Sequence, residues 1–167
     1  MVEYCKEHHY WSCNSKPQHL PGFTVLDCET NPVSRLRPEA SIPYLALSYV
    51  WGSLASAESF PPLVLDAITV TKRLGYRYLW VDQYCIDQAD EKHKMSQISH
   101  MDVTYYNADM TIIASASQNQ QDGLPGVSCP RNPNPPILMG SLKFTKAFPD
   151  PGIEIQKSKW ATRGWTF

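Results

Sequence analysis

The segment YLWVDQYCIDQ, residues 78–88, sets two carboxyl groups, two carboxamides and a thiol directly behind an apolar run. Asp82, Gln83, Cys85, Asp87 and Gln88 follow Tyr78-Leu79-Trp80-Val81 with almost no spacer, and Glu91 adds a further acid a little way on. Acids in unlike surroundings, one beside an apolar run and one beside a helix start, are what acid–base or cation-stabilising chemistry uses. The plainer use of an Asp at a strand end is to hold loop amides, and Asp87 or Asp90 can start a helix in that way. Five hydrogen-bonding side chains exceed what one turn needs, so the cluster as a whole marks a candidate site. Cys85 is read as a buried structural thiol, because a nucleophile needs a base and His93 or His100 would have to fold back from the following helix.

The elements around this segment must position it. FTVLDCE (23–29) has the β-branched and aromatic content of a strand and ends at Asn31-Pro32. Residues 30–43 hold three prolines and are expected to be loop. YLALSYVW (44–51) is nearly continuous in apolar residues, the pattern of a strand covered on both faces. Leu63, Ala67, Val70 and Leu74 recur at helical spacing over 63–74, with Gly75 where a left-handed C-terminal cap belongs.

YRYLWVD (76–82) is the next strand, and Asp90 is the expected N-cap of a helix over 91–107. MTIIASAS (110–117) reads as a further strand, 122–151 as a Gly- and Pro-rich loop, and GIEIQKS (152–158) as a last strand. Strands alternating with helices predict an α/β fold with a mostly parallel central sheet and flanking helices. Ligands of such sheets bind beyond the carboxyl ends of the strands, where Asp82 to Gln88 and Ser48 to Gly52 both fall.

Composition narrows the function. The chain has 167 residues, enough for one well-packed domain, and residues 1–22 read as an irregular arm before it. Fifteen basic against sixteen acidic residues give a net charge of -1, so no electrostatic footprint for nucleic acid is expected. The apolar runs are too short to span a bilayer. Five scattered cysteines, an odd number, fit reduced thiols in a cytoplasmic protein. Cys5, His8, His9, Cys13 and His19 crowd the arm, but they lack the close cysteine pair of common structural zinc sites, and no metal is assigned.

Several ordered blocks carry a resemblance. YLALSYVWG (44–52), YLWVDQYCIDQ (78–88), MDVTYYNADMTIIAS (101–115), GLPGV (123–127) and RGWTF (163–167) resemble, in that order, the fungal heterokaryon-incompatibility domain. The resemblance implies a domain over 23–167 acting in non-self recognition and programmed cell death, with a flavodoxin-like fold distantly similar to Toll/interleukin-receptor domains. It also implies Gln and Glu after RGWTF and a long variable region beyond, so the sequence is read as truncated at its C-terminal end.

Two functions follow from different classes. One is an assembly or signalling module that self-associates or recruits protein partners. The other is a glycohydrolase with NAD as its substrate, the activity of some Toll-type relatives; no other cofactor is expected. The cleavage passes through an oxocarbenium-like state that Asp82, Asp87 or Glu91 would stabilise. Tyr49, Trp51, Gly52, Gln88, Arg163 and Trp165 would complete the crevice, with a ring stacking on the base and Arg163 pairing with pyrophosphate. No glycine-rich phosphate loop is present, which argues against an ordinary dinucleotide fold. Trp80, in mid-strand, is expected in the core, and Trp51, at a strand end, on a pocket wall.

Overall fold

The computed structural model describes residues 4, 7–9, 18–52, 59–131, 136–145 and 150–163. Five strands form the central sheet: β1 (Val25–Asp27), β2 (Ser34–Leu36), β3 (Tyr44–Ser48), β4 (Tyr78–Val81) and β5 (Met110–Ile113), in the order β2-β1-β4-β3-β5. β3 lies between β4 and β5 and runs parallel to both. All five of its residues are buried, as its apolar run predicts for a strand with neighbours on both sides. β1 pairs antiparallel with β2 and with β4.

The sheet is therefore mixed, which corrects the expectation of a mostly parallel one. A parallel pair needs a long crossover, usually helical. The segment between β1 and β3 holds only β2, so β1 turns straight back on its neighbour as a hairpin. β2 itself falls within residues expected to be loop.

Helix α1 (Pro62–Arg73) connects β3 to β4. It closes as predicted on Gly75, whose φ of +79° admits a left-handed cap. The Gly75 N–H reaches the Lys72 carbonyl and the Tyr76 N–H reaches that of Thr71, the paired bonds of a Schellman ending. β4 runs without a loop into the single turn α2 (Asp82–Cys85).

The expected helix over 91–107 is two, α3 (Glu91–Ile98) and α4 (Met101–Asn107). Side chains compete for the backbone at the break: the Ser99 hydroxyl (2.8 Å) and His100 Nδ1 (2.7 Å) both bond to the Ser96 carbonyl. Asp90 caps α3 as expected, accepting from the N–H groups of Lys92 and His93.

Two more differences lie near the C-terminus. Within the expected loop, β6 (Ile137–Met139) and β7 (Leu142–Phe144) form a two-stranded hairpin of their own. Residues 152–158 are not a strand: α5 (Pro151–Gln156) occupies them, followed by a 3-10 turn, Trp160–Thr162. Asp150 caps α5 through the Gly152 N–H at 2.7 Å, and Pro151 takes the first turn, where its missing N–H costs nothing.

The chain divides into two compact units, one of Met1–Ser48 with Ala67–Ile113, the other of Tyr49–Asp66 with Ala114–Phe167. In the first, Val25, Leu26, Leu45, Leu47, Leu79 and Trp80 form the core. Residues 18–22 of the arm are tied down there, with Gln97 Nε2 donating to the Pro21 carbonyl (2.8 Å) and the Asn107 amide pairing with both backbone groups of Gln18.

Asp27, buried at the end of β1, receives Arg77 Nε (3.0 Å) and Nη2 (2.7 Å) on its two oxygens. The Arg77 hydrogen bonds hold its carboxyl below the ordinary value of 3.8, against the opposing effect of burial. A depressed folded value means stabilisation that is complete above the unfolded value and lost as pH falls through the folded one. Asp27→Asn is thus expected to cost about 1–2 kcal/mol at neutral pH. The difference from the parent should shrink in urea titrations as pH falls below the ordinary value of 3.8 and through the lowered folded one. A difference that persists unchanged into acid would show that the charge plays no part.

Candidate functional site

The strand-end cluster is built by β4 feeding α2 directly. Cys85 folds back onto the strand, its Sγ 3.3 Å from the Val81 N–H, while the Thr24 hydroxyl donates to its carbonyl at 2.7 Å. Burial pushes this thiol up to about 12, which suits a structural cysteine. Asp82 is 4% exposed and its Oδ1 accepts from the Gln83 N–H at 2.8 Å. Asp87 and Gln88 stand exposed past the turn. Asp87 Oδ1 accepts from the Ala89 N–H at 3.0 Å, and Gln88 Nε2 approaches the Ile86 carbonyl at 3.4 Å. Glu91, also exposed, lies 3.4 Å from Lys94 Nζ. One buried and three exposed acids, Asp90 included, thus share a short stretch of the first unit.

The other predicted crevice residues belong to the second unit. Tyr49 is fully buried, and its carbonyl accepts from Arg163 Nη1, so this guanidinium binds backbone of its own unit. Trp51 is 42% exposed. A Cβ on Gly52 would stand 3.2 Å from the Gln120 side chain, so glycine lets Gln120 lie against the backbone there. Trp165 lies outside the described residues.

Two features were not anticipated. In the second unit, Asp66 of α1 is 6% exposed and its Oδ2 accepts from the Leu124 N–H (2.6 Å) and the Ser128 hydroxyl (2.5 Å). It thereby gathers the GLPGV block around a buried carboxylate. The block was recognisable, but nothing in the sequence tied it to an acid 58 residues away. In the first unit, a pocket of about 180 Å³ is lined by Gln18, His19, Phe23, Pro38, Tyr44 and Asn107 among others. The Phe23 and Tyr44 rings meet there at 4.9 Å. Tyr44 begins β3, so this pocket opens at the amino end of the parallel strands rather than at the carboxyl end where a crevice was expected.

No group of three or more metal-ligating side chains occurs among the described residues; Cys5 and Cys13 lie outside them. No described helix is long and apolar enough to cross a membrane.

Fold and strand-end turn define an α/β domain in which β4 delivers buried and exposed acids to its carboxyl end. Residues 44–167 match the family model described as Heterokaryon incompatibility protein (HET), and the chain belongs to that family. Its function is accordingly related to heterokaryon incompatibility. The match begins at the first residue of β3, so β1 and β2 precede it. No curated protein and no solved structure matches the chain.

Proposed function

We propose that this domain is an assembly or signalling module of fungal non-self recognition, acting in the cytoplasm through protein partners or self-association to trigger programmed cell death. The observation that carries the reading is the local use of the strand-end polar groups. Asp82, Asp87, Gln88 and Asp90 each bond a backbone group within three residues, which shapes a turn and its surface.

A second reading is favoured by the strand order. β4-β3-β5, with β3 first in sequence, is the order of an open doubly wound sheet of the kind found in flavodoxin-like folds, to which Toll/interleukin-receptor domains are similar. On this reading the domain cleaves NAD, with Asp82, Asp87 or Glu91 stabilising the sugar cation and Gln88 beside them contacting the nucleotide.

Nicotinamide release from labelled NAD separates the two. The assembly reading expects release at the level of a protein-free control, and an Asp82→Asn variant placed in a complete family member should still kill. Asn keeps the shape and the acceptor for the Gln83 N–H while removing the charge. Turnover that Asp82→Asn abolishes, together with loss of killing by a folded variant, would instead establish the enzyme.

A further inference from the structure

The β6–β7 hairpin presents its side chains to solvent rather than to a core. All eight residues from Ile137 to Phe144 are exposed. The turn is Gly140-Ser141, with φ +62° at Gly140 and no positive φ at Ser141, so glycine stands first as a type II′ turn requires. Cross-strand partners share a face, and so do residues two apart along a strand. The register Ile137 with Phe144 and Met139 with Leu142 therefore puts all four on one face, while Leu138 and Lys143 take the other. One face is wholly apolar and bears no charge.

An isolated two-stranded ribbon is marginal in water. The four side chains of this face are 50–68% exposed. They offer on the order of 500 Å² of apolar surface, at the upper end of the largest patch of a typical monomer.

We infer that this face is a contact surface between two copies of the chain. A twofold contact joins one patch to itself, and a charge-free apolar plate is complementary to itself without any pairing of opposite charges. The net charge of -1 sets up little repulsion between copies. Two faces together bury about 1,000 Å², which reaches the lower bound for a specific interface and calls for a weak, reversible dimer. The hairpin gives the assembly reading a surface, and the contact rests on that reading for its purpose in the cell.

Sedimentation equilibrium of the purified chain over about 1–200 µM tests the contact. The expected result is a mass rising from monomer to dimer with a micromolar dissociation constant. Leu142→Glu should weaken it by more than about tenfold, whereas Leu138→Glu on the opposite face should change it by less than about twofold. Both sites are exposed, and unchanged circular dichroism confirms that both variants fold. A parent that stays monomeric throughout, or equal sensitivity of the two faces, would overturn the inference. Placing Leu142→Glu in a complete family member tests the biological reading separately. Killing that survives loss of the dimer counts against assembly through this face, while the contact itself stands on the mass measurement.

Discussion

Replacing Trp80 by Ala is expected to lower the unfolding free energy by about 3–5 kcal/mol. The indole sits in the middle of β4, is 1% exposed, and meets the Tyr105 ring edge-on at a centroid distance of 5.4 Å. Its strand neighbour across the register is Ala46 of β3, too small to fill the volume a missing indole leaves. The loss therefore combines buried apolar area, an aromatic pair and a cavity that the flanking strands close only in part. Trp51→Ala provides the contrast, because a ring 42% exposed leaves no comparable void. Its expected cost is below about 1 kcal/mol. Urea unfolding followed by circular dichroism measures both. Equal losses would mean that position along a strand does not separate core tryptophan from surface tryptophan in this fold.

That contrast also marks what was legible in the sequence. Near-continuous apolar runs located β3 and β4, because buried strands leave little choice of side chain; the strand read over 110–117 located β5, which is shorter and only half-buried. Gly75 and Asp90 were legible because each answers a local backbone need. The direction of β1 was not, since VLD carries the same information whichever way it pairs; only the lack of a crossover helix before β3 decides it. GIEIQ alternates like a strand, yet the cap at Asp150 and the proline after it favour a helix, and a local capping signal outweighed the apparent period. The split between α3 and α4 depends on Ser99 and His100 bonding to one carbonyl, a competition that periodicity does not register. ILM-GS-LKF carried a hairpin signal in its glycine-led turn, hidden inside a stretch rich in Gly and Pro. Of the candidate site, the acids of the β4 turn were visible as a cluster. The Asp66 contacts were invisible because they join residues far apart in sequence through a loop without period.

Asp66→Ala is expected to cost about 3 kcal/mol and to loosen the 123–129 loop before the rest of its unit. The carboxylate accepts two hydrogen bonds, and its removal leaves the Leu124 N–H buried without this acceptor. A stranded buried donor costs about 1–3 kcal/mol, to which the lost bond from Ser128 adds. The loop has little freedom to compensate. Ser117 Oγ holds the Gly123 carbonyl at 2.8 Å from one side, while Asp66 holds the next N–H from the other. Gly123 itself has φ +70°, and a Cβ there would lie 2.4 Å from Ser128 Oγ and 2.9 Å from Asp66 Oδ2. Gly123→Ala should therefore damage the same loop through strain and crowding, by about 2 kcal/mol or more. The two effects share one cause, so the double variant should lose clearly less than the two single losses added together. Asp66→Asn keeps an acceptor for Leu124 and should cost about 1 kcal/mol. Amide hydrogen exchange at Leu124 gives the readout that general destabilisation would not mimic. Its protection should fall in Asp66→Ala while that of Leu45 and Leu79 in the central sheet persists, and protection at Leu124 equal to the parent's would rule out Asp66 as the brace of this loop.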